Sequence, residues 1–185
     1  MSDRKSVLLT TSREPTDKIR TFCHDMAYSV PNVIRVNRGK LSLDGLAEKA
    51  FELQGDRIVI IDRWTEGFAD ISFFRIGDSG SLLSPMQIYA PSVRLRREFE
   101  ARAERIRSLA VTIPFEDSLA TSQLAHSIGD FFDLPVFMGQ ETVSRFSAIM
   151  QISSEAWNRF QITFLLPSLV EVGPRINVSK VVWSE

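Results

Sequence analysis

The sequence predicts an α/β protein made of two similar halves, each a small mixed sheet with helices. Three observations support this. The first 63 residues alternate strand and helix patterns in the order β-α-β-α-β, the mark of parallel pairing. The opening pattern then returns in the same element order about 102 residues later, from Leu109. The chain of 185 residues is 44% apolar and 24% charged, enough to bury a substantial core.

Val7–Thr11 reads as a buried strand, and Pro15-Thr16 opens a helix. Ile19, Phe22, Cys23, Met26, Ala27 and Val30 recur at helical spacing on one face, and Pro31 ends the helix. Val33–Val36 is a second strand. Ser42 is a good N-cap for a helix from Leu43 to Gln54, with Leu43, Leu46, Ala47, Ala50 and Phe51 as its apolar face. Gly55 closes that helix, and the isoleucine- and valine-rich Arg57–Asp62 is a third strand. Ile71–Ile76 and Leu82–Tyr89 are further strands, parted by the turn Gly77-Asp78-Ser79-Gly80. The arginine-rich stretch from Arg94 to Arg107 is expected to be a helix in its later part, or an exposed bridge. Leu109–Ile113 and Leu134–Phe137 read as strands around a helix that carries Leu124, Ala125, Ile128 and Phe132. A shift of 102 puts Thr10 on Thr112, Phe22 on Leu124, Cys23 on Ala125 and Met26 on Ile128. Arg159–Leu166 and Leu169–Val182 are expected to close the chain as antiparallel strands, with Pro167-Ser168 as the turn. The halves are then 1–92 and 93–185.

The net charge is −1, which argues against an indiscriminate nucleic-acid binder. The distribution says more. Residues 1–114 hold 18 Lys/Arg against 15 Asp/Glu, and residues 115–185 hold 4 against 8. Of the 22 basic residues 17 are arginine, the better side chain for bidentate phosphate contact and for stacking. If RNA binds, the N-terminal half and the central arginine run should carry it. The single cysteine, Cys23, forbids an internal disulfide and fits a reducing compartment. No run of 18 apolar residues occurs, and the first residues lack a signal-peptide core.

Two polar, basic stretches sit where strand gives way to helix, the usual binding edge of an open α/β sheet. These are Thr10-Thr11-Ser12-Arg13-Glu14-Pro15, leading into Arg20-Thr21-Phe22, and Asn37-Arg38-Gly39-Lys40, leading into Ser42-Leu43. With Asp56-Arg57 and Gly173-Pro174-Arg175, they resemble the Brix-domain family of ribosome-biogenesis proteins. The N-terminal block carries most of that resemblance, and residues from about Ser79 to Ser144 carry little. The resemblance implies one Brix domain over 1–185, with two halves each like an anticodon-binding domain. It also implies a non-catalytic factor that binds precursor ribosomal RNA during processing and subunit assembly in the cytoplasm. No cofactor is implied. Partners would be that RNA and other assembly factors or ribosomal proteins, with no membrane. The short ends outside the expected strands suggest a compact archaeal member or a bare domain.

The residues expected at RNA are Arg13, Arg20, Asn37, Arg38, Lys40, Arg63, Arg94, Arg96, Arg97 and Arg175, arranged around a groove between the halves. Each has a plainer alternative. Arg13 could pair with Glu14 or Asp17. Arg94–Arg97 could form a phosphate track or belong to a salt-bridged segment with Glu98, Glu100 and Glu104. Arg175 could pair with Glu171. Asp62 at a strand end is most simply paired with Arg57 or Arg63. Trp64 could stack on a base. His24 and His126 read as exposed helix residues without metal-ligand spacing, and Cys23 reads as buried. A rival reading docks a basic ribosomal protein or assembly factor on the acidic C-terminal half. A small nucleotide-dependent enzyme is the third, although no phosphate-binding glycine loop is present.

Overall fold

Each half of the chain begins with a strand–helix–strand unit and ends by sending its last strand into the other half. The computed structural model describes residues 5–139, 143–156 and 158–184. The first half holds β1 (Ser6–Thr11), α1 (Asp17–Ser29), β2 (Val33–Arg35), α2 (Leu43–Glu52), β3 (Gly55–Arg63), β4 (Ala69–Ile76) and β5 (Leu82–Ala90). The second holds β7 (Leu109–Ile113), α3 (Leu119–Phe132), β8 (Val136–Met138), β9 (Ala148–Ala156), β10 (Arg159–Leu165) and β11 (Arg175–Val178). Two edge strands are exchanged: β6 (Ser92–Arg94) and β12 (Lys180–Trp183). The two six-stranded sheets run β12-β5-β4-β3-β1-β2 and β6-β11-β10-β9-β7-β8. β1 is parallel to β2 and β3, and β7 is parallel to β8 and β9. The remaining pairs are antiparallel. The repeat read from the sequence is thus a repeat of architecture.

The helices form where the pattern places them. Thr16, Ser42 and Ser118 each accept an N–H from the first turn of the helix they precede. Asp117 supports the last of these caps. Ser118, Thr121 and Ser154 all donate to its carboxylate, and those hydrogen bonds, opposed by burial, hold its pKa below the ordinary value. At the end of α2 the left-handed residue is Gln54 (φ 58°) rather than Gly55. Gly55 opens β3, because a Cβ there would lie 2.3 Å from the Ser6 carbonyl oxygen.

One apolar core joins the halves. It contains Ile19 and Phe22 of α1, Leu124 and Phe131 of α3, and inward residues of both sheets such as Val59, Phe73, Met150 and Ile176. Phe73 meets Phe131 edge to face at 5.0 Å. A void of only about 30 Å³ remains between them. The interior between the halves is therefore filled, and the hollow of about 310 Å³ where α3 and β10 meet β12 is lined by none of the ten residues expected at RNA. α2 covers part of the outer face of the first sheet, burying Leu46, Ala47 and Ala50 on Leu8 and Ile58. Leu43 and Phe51, expected on that apolar face, overhang it and stay exposed.

Three further expectations are corrected. Of the two readings of Arg94–Arg107 the helix fails and the bridge stands: it contains a single 3₁₀ turn, Arg96–Glu98, because its backbone is bound by α1 instead of by its own next turn. The Arg96 N–H donates to Asp25 (2.9 Å), and the Ile106 N–H donates to the Tyr28 carbonyl (3.3 Å). Leu169–Val182 is not one strand. Leu169 turns left-handed (φ 65°), β11 starts at Arg175, and Ser179 is the pivot from which β12 enters the first sheet. Arg57 does not pair with Asp62.

Instead Arg57 clamps the halves together. It is 3% exposed, donates to the Phe131 carbonyl and Asp133 carboxylate (2.6 Å) at the end of α3, and also donates to the Lys5 carbonyl. Asp56 lies 3.2 Å from its Nε. Removing one member of a buried pair leaves the rest unpaired and costs about 3 kcal/mol. Arg57→Ala should lower the unfolding free energy by about that amount in chemical denaturation, with a single transition retained for both halves. Asp117→Ala should likewise destabilise near neutral pH. Because Asp117 has a depressed folded pKa, its contribution should vanish as pH falls through that pKa, which paired acid titrations of wild type and variant would detect.

Candidate nucleic-acid interface

The C-terminal ends of β1 and β2 lie side by side, since Leu9 is in register with Arg35. The loops that follow enclose a hollow of about 350 Å³ lined by Thr11, Ser12, Arg13, Pro15, Arg20, Arg35, Val36, Asn37, Arg38 and Gly39. Thr10 donates to the Val36 carbonyl (2.7 Å), tying the two strand ends together. Gly39 adopts φ 51° with open space where a Cβ would sit, so glycine serves the turn's backbone there.

The cup brings cations close together. Burial and the neighbouring Arg13 guanidinium push Arg38 below its ordinary pKa, and Asp62 opposes them. Arg38 Nε donates to the Leu41 carbonyl (2.8 Å), which leaves its other nitrogens for solvent or ligand. Arg35 lies over α1 and hydrogen-bonds the Cys23 thiol. Burial nevertheless pushes that thiol up to about 11, so Cys23 is a neutral core group, as its helical position predicts. Ser12, one of the lining residues, has its Oγ buried without a hydrogen-bond partner among the described residues, which is costly.

Of the ten expected residues, the structure gathers Arg13, Arg20, Asn37 and Arg38 in this cup. Arg20 reaches it while bonded to Asp17 at 3.0 Å. Lys40 stands exposed on the adjoining turn, and Arg63 is exposed at the end of β3, next to Asp62. The other four are elsewhere and mostly engaged. Arg94 donates to the Glu98 carbonyl (2.7 Å) and stacks on Phe99. Arg175, opposite Arg94 across the β6–β11 pair, is held bidentately by Glu171, and those hydrogen bonds raise its pKa. Gly173 lies under the Phe99 ring, where a Cβ would be 2.4 Å away. Arg96 stacks on Tyr28 at 3.7 Å and donates to the Ala103 carbonyl (3.1 Å). Arg97 is exposed. Trp64 packs edge-on against Tyr89 at 5.4 Å, outside the cup.

Arg35 was missed in the sequence because it reads as an ordinary outward strand residue. Only the pairing that makes β2 an edge strand puts it on the rim. A second hollow of about 310 Å³ adjoins through the same residue, lined by His24, Ala27, Tyr28, Val33, Ile34, Arg35 and Arg105.

The second half provides an internal comparison. Val111 is in register with Val136 as Leu9 is with Arg35. With α1 and α3 offset by 102, the counterparts of Arg13, Arg20, Arg35, Asn37 and Arg38 are Phe115, Ser122, Val136, Met138 and Gly139. The same frame stands there without one cation, so folding does not require the cup's charge. Among the described residues there is no cluster of three or more His, Cys, Asp or Glu side chains placed to hold a metal ion. No described helix is long and apolar enough to cross a membrane.

Known proteins are similar to this chain in sequence and in fold. The chain is 32% identical over 94 residues to a probable Brix domain-containing ribosomal biogenesis protein of Pyrococcus horikoshii, a match over 50% of this chain and 41% of the relative. It is 30% identical over 98 residues to a protein of the same name in Thermococcus kodakarensis, covering 52% and 46%. The match thus spans less than half the length of these curated relatives. No protein-family model matches the chain. Among solved structures, a probable ribosomal biogenesis protein of Aeropyrum pernix superposes with a TM-score of 0.81 at 24% identity, over 95% of this chain and 96% of that one. An archaeal Imp4-like protein superposes at 0.66 with 16% identity, over 96% and 99%. The resemblance to Brix-domain proteins therefore holds, with curated relatives bearing that name and the fold shared along nearly the whole chain.

Removing a buried orphan hydroxyl relieves a cost. Ser12→Ala should leave thermal stability unchanged or raise it by up to about 1 kcal/mol, as read by calorimetry.

Proposed function

We propose that this chain is a non-catalytic ribosome-biogenesis factor that binds precursor ribosomal RNA through the cup between the β1–α1 and β2–α2 loops. The observation that carries this reading is the gathering of Arg13, Arg20, Arg35 and Arg38 around one hollow at the paired ends of β1 and β2. Four cations crowded together, with only Asp17 on Arg20 and Asp62 near Arg38 to offset them, fit phosphodiester oxygens. The curated relatives' names supply the setting, ribosome biogenesis, and RNA processing and subunit assembly in the cytoplasm are its extension. Asn37 and Lys40 flank the cup and would contact adjacent phosphate or sugar. Arg63, Arg97 and the engaged Arg94, Arg96 and Arg175 would have secondary roles at most.

Phosphate contact has a measurable signature. Each neutralised phosphate on a single strand contributes about −0.7 to the slope of log affinity against log salt. Arg13→Ala combined with Arg38→Ala should make that slope shallower by about 1.4 in fluorescence anisotropy with a ribosomal RNA fragment, while far-UV dichroism and melting temperature hold. An unchanged slope would move the site away from the cup.

A second reading has its own observation. The cup's counterpart in the acidic half exposes Phe115 (64%) and Met138 (63%), which suit docking of a protein partner such as a ribosomal protein or assembly factor. Phe115→Ser with Met138→Ser should abolish co-purification of such a partner and leave RNA affinity unchanged.

A further inference from the structure

Resting on the RNA reading of the cup, we propose that the groove along α1 and β2 is built for an unpaired nucleotide. Its phosphate sits in the arginine cup, and its base or its neighbour's base enters the adjoining hollow against Tyr28 and His24. The two hollows, about 350 and 310 Å³, share the wall residue Arg35 and so lie side by side along α1 and β2. Their linings differ in chemistry. The cup presents guanidiniums, an amide and a hydroxyl, whereas the second hollow presents an aromatic pair, the apolar Ala27, Val33 and Ile34, and two cations at its edge, Arg35 and Arg105. A charged end beside an aromatic, apolar end matches the two parts of a nucleotide. Arg20 and Tyr28 are eight residues apart on α1, about 12 Å along the axis.

The aromatic wall is pre-set. The Arg96 guanidinium stacks on the Tyr28 ring at 3.7 Å and is tied to the Ala103 carbonyl. The Tyr28 carbonyl accepts the Ile106 N–H, and the His24 ring lies 6.4 Å from Tyr28 at 27°. A wall already held in place loses little entropy when a base packs on it. The second half lacks this feature, since the counterpart of Tyr28 is Asp130 and that of Arg35 is Val136. A paired base could not turn into the hollow, so the groove discriminates single strands, loops and bulges from duplex.

The test is an abasic scan. A single-stranded ribosomal RNA oligonucleotide of roughly ten nucleotides is compared by anisotropy with versions that lack one base at a time but keep every phosphate. At one position the wild-type chain should lose about tenfold in affinity, within the range of one base–aromatic contact. Tyr28→Leu should bring that ratio close to one without changing the salt slope. If Tyr28→Leu melts early through loss of its Arg96 contact, the exposed His24→Ala should still reduce the ratio. Salt-dependent binding with a flat scan in the wild type would overturn the base site and leave the phosphate cup standing. Failure of the intact oligonucleotide to bind at all would overturn both.

Discussion

Two short pivots govern this molecule. One residue, Pro91, separates β5 in the first sheet from β6 in the second, and one residue, Ser179, separates β11 in the second from β12 in the first. Each sheet therefore owns an edge strand that is covalently part of the other half. Neither half can move away without tearing a β-ladder, and unpaired backbone groups in a buried setting are expensive. The shared core, the Arg57 clamp and the docking of the arginine-rich linker onto α1 all depend on that exchange. It also explains why the interior between the halves is filled and why binding features are pushed to the sheet's outer end.

The duplication separates what the frame needs from what the surface adds. Both halves place a strand–helix–strand unit in one geometry, yet only the first arms its strand ends with cations. Arginine serves both purposes in this chain, and the surroundings decide which. Arg57 is buried, surrounded by carbonyls and matched to Asp133, so its charge is part of the packing. Arg13 and Arg38 face each other on the surface with Asp62 as a partial counterweight, so their charge is left for something outside the protein. The local field matters here more than the net charge of −1, because screening confines each charge's reach to roughly 10 Å.

The candidate site was legible where it was local. Thr11-Ser12-Arg13 and Asn37-Arg38-Gly39 declare themselves because each follows a strand and precedes a helix, and parallel pairing brings such ends together. The distant arginines were not legible in the same way. For Arg175 the pairing with Glu171, one of the two readings open in the sequence, is the one found, whereas the β-ladder and Phe99 that bring Arg94 and Arg175 together had no local signal. Tyr28, Arg35 and Arg105 carried no signal, since their proximity arises from one helix, one edge strand and a linker some 70 residues further on.

By itself the sequence determined much of the local order: the strand and helix pattern of the first 90 residues, where Ser42 and Thr16 start helices, and that the opening pattern occurs twice, though β6 and β9 had no reading. Apolar period and capping chemistry act over a few residues, so they can be read without knowing the rest of the chain. Tertiary structure alone decided that the halves exchange strands, that the linker between them stays irregular, and that the groove runs along α1 and β2. Those outcomes depend on contacts between residues tens of positions apart, and nothing in the local spacing of side chains encodes them.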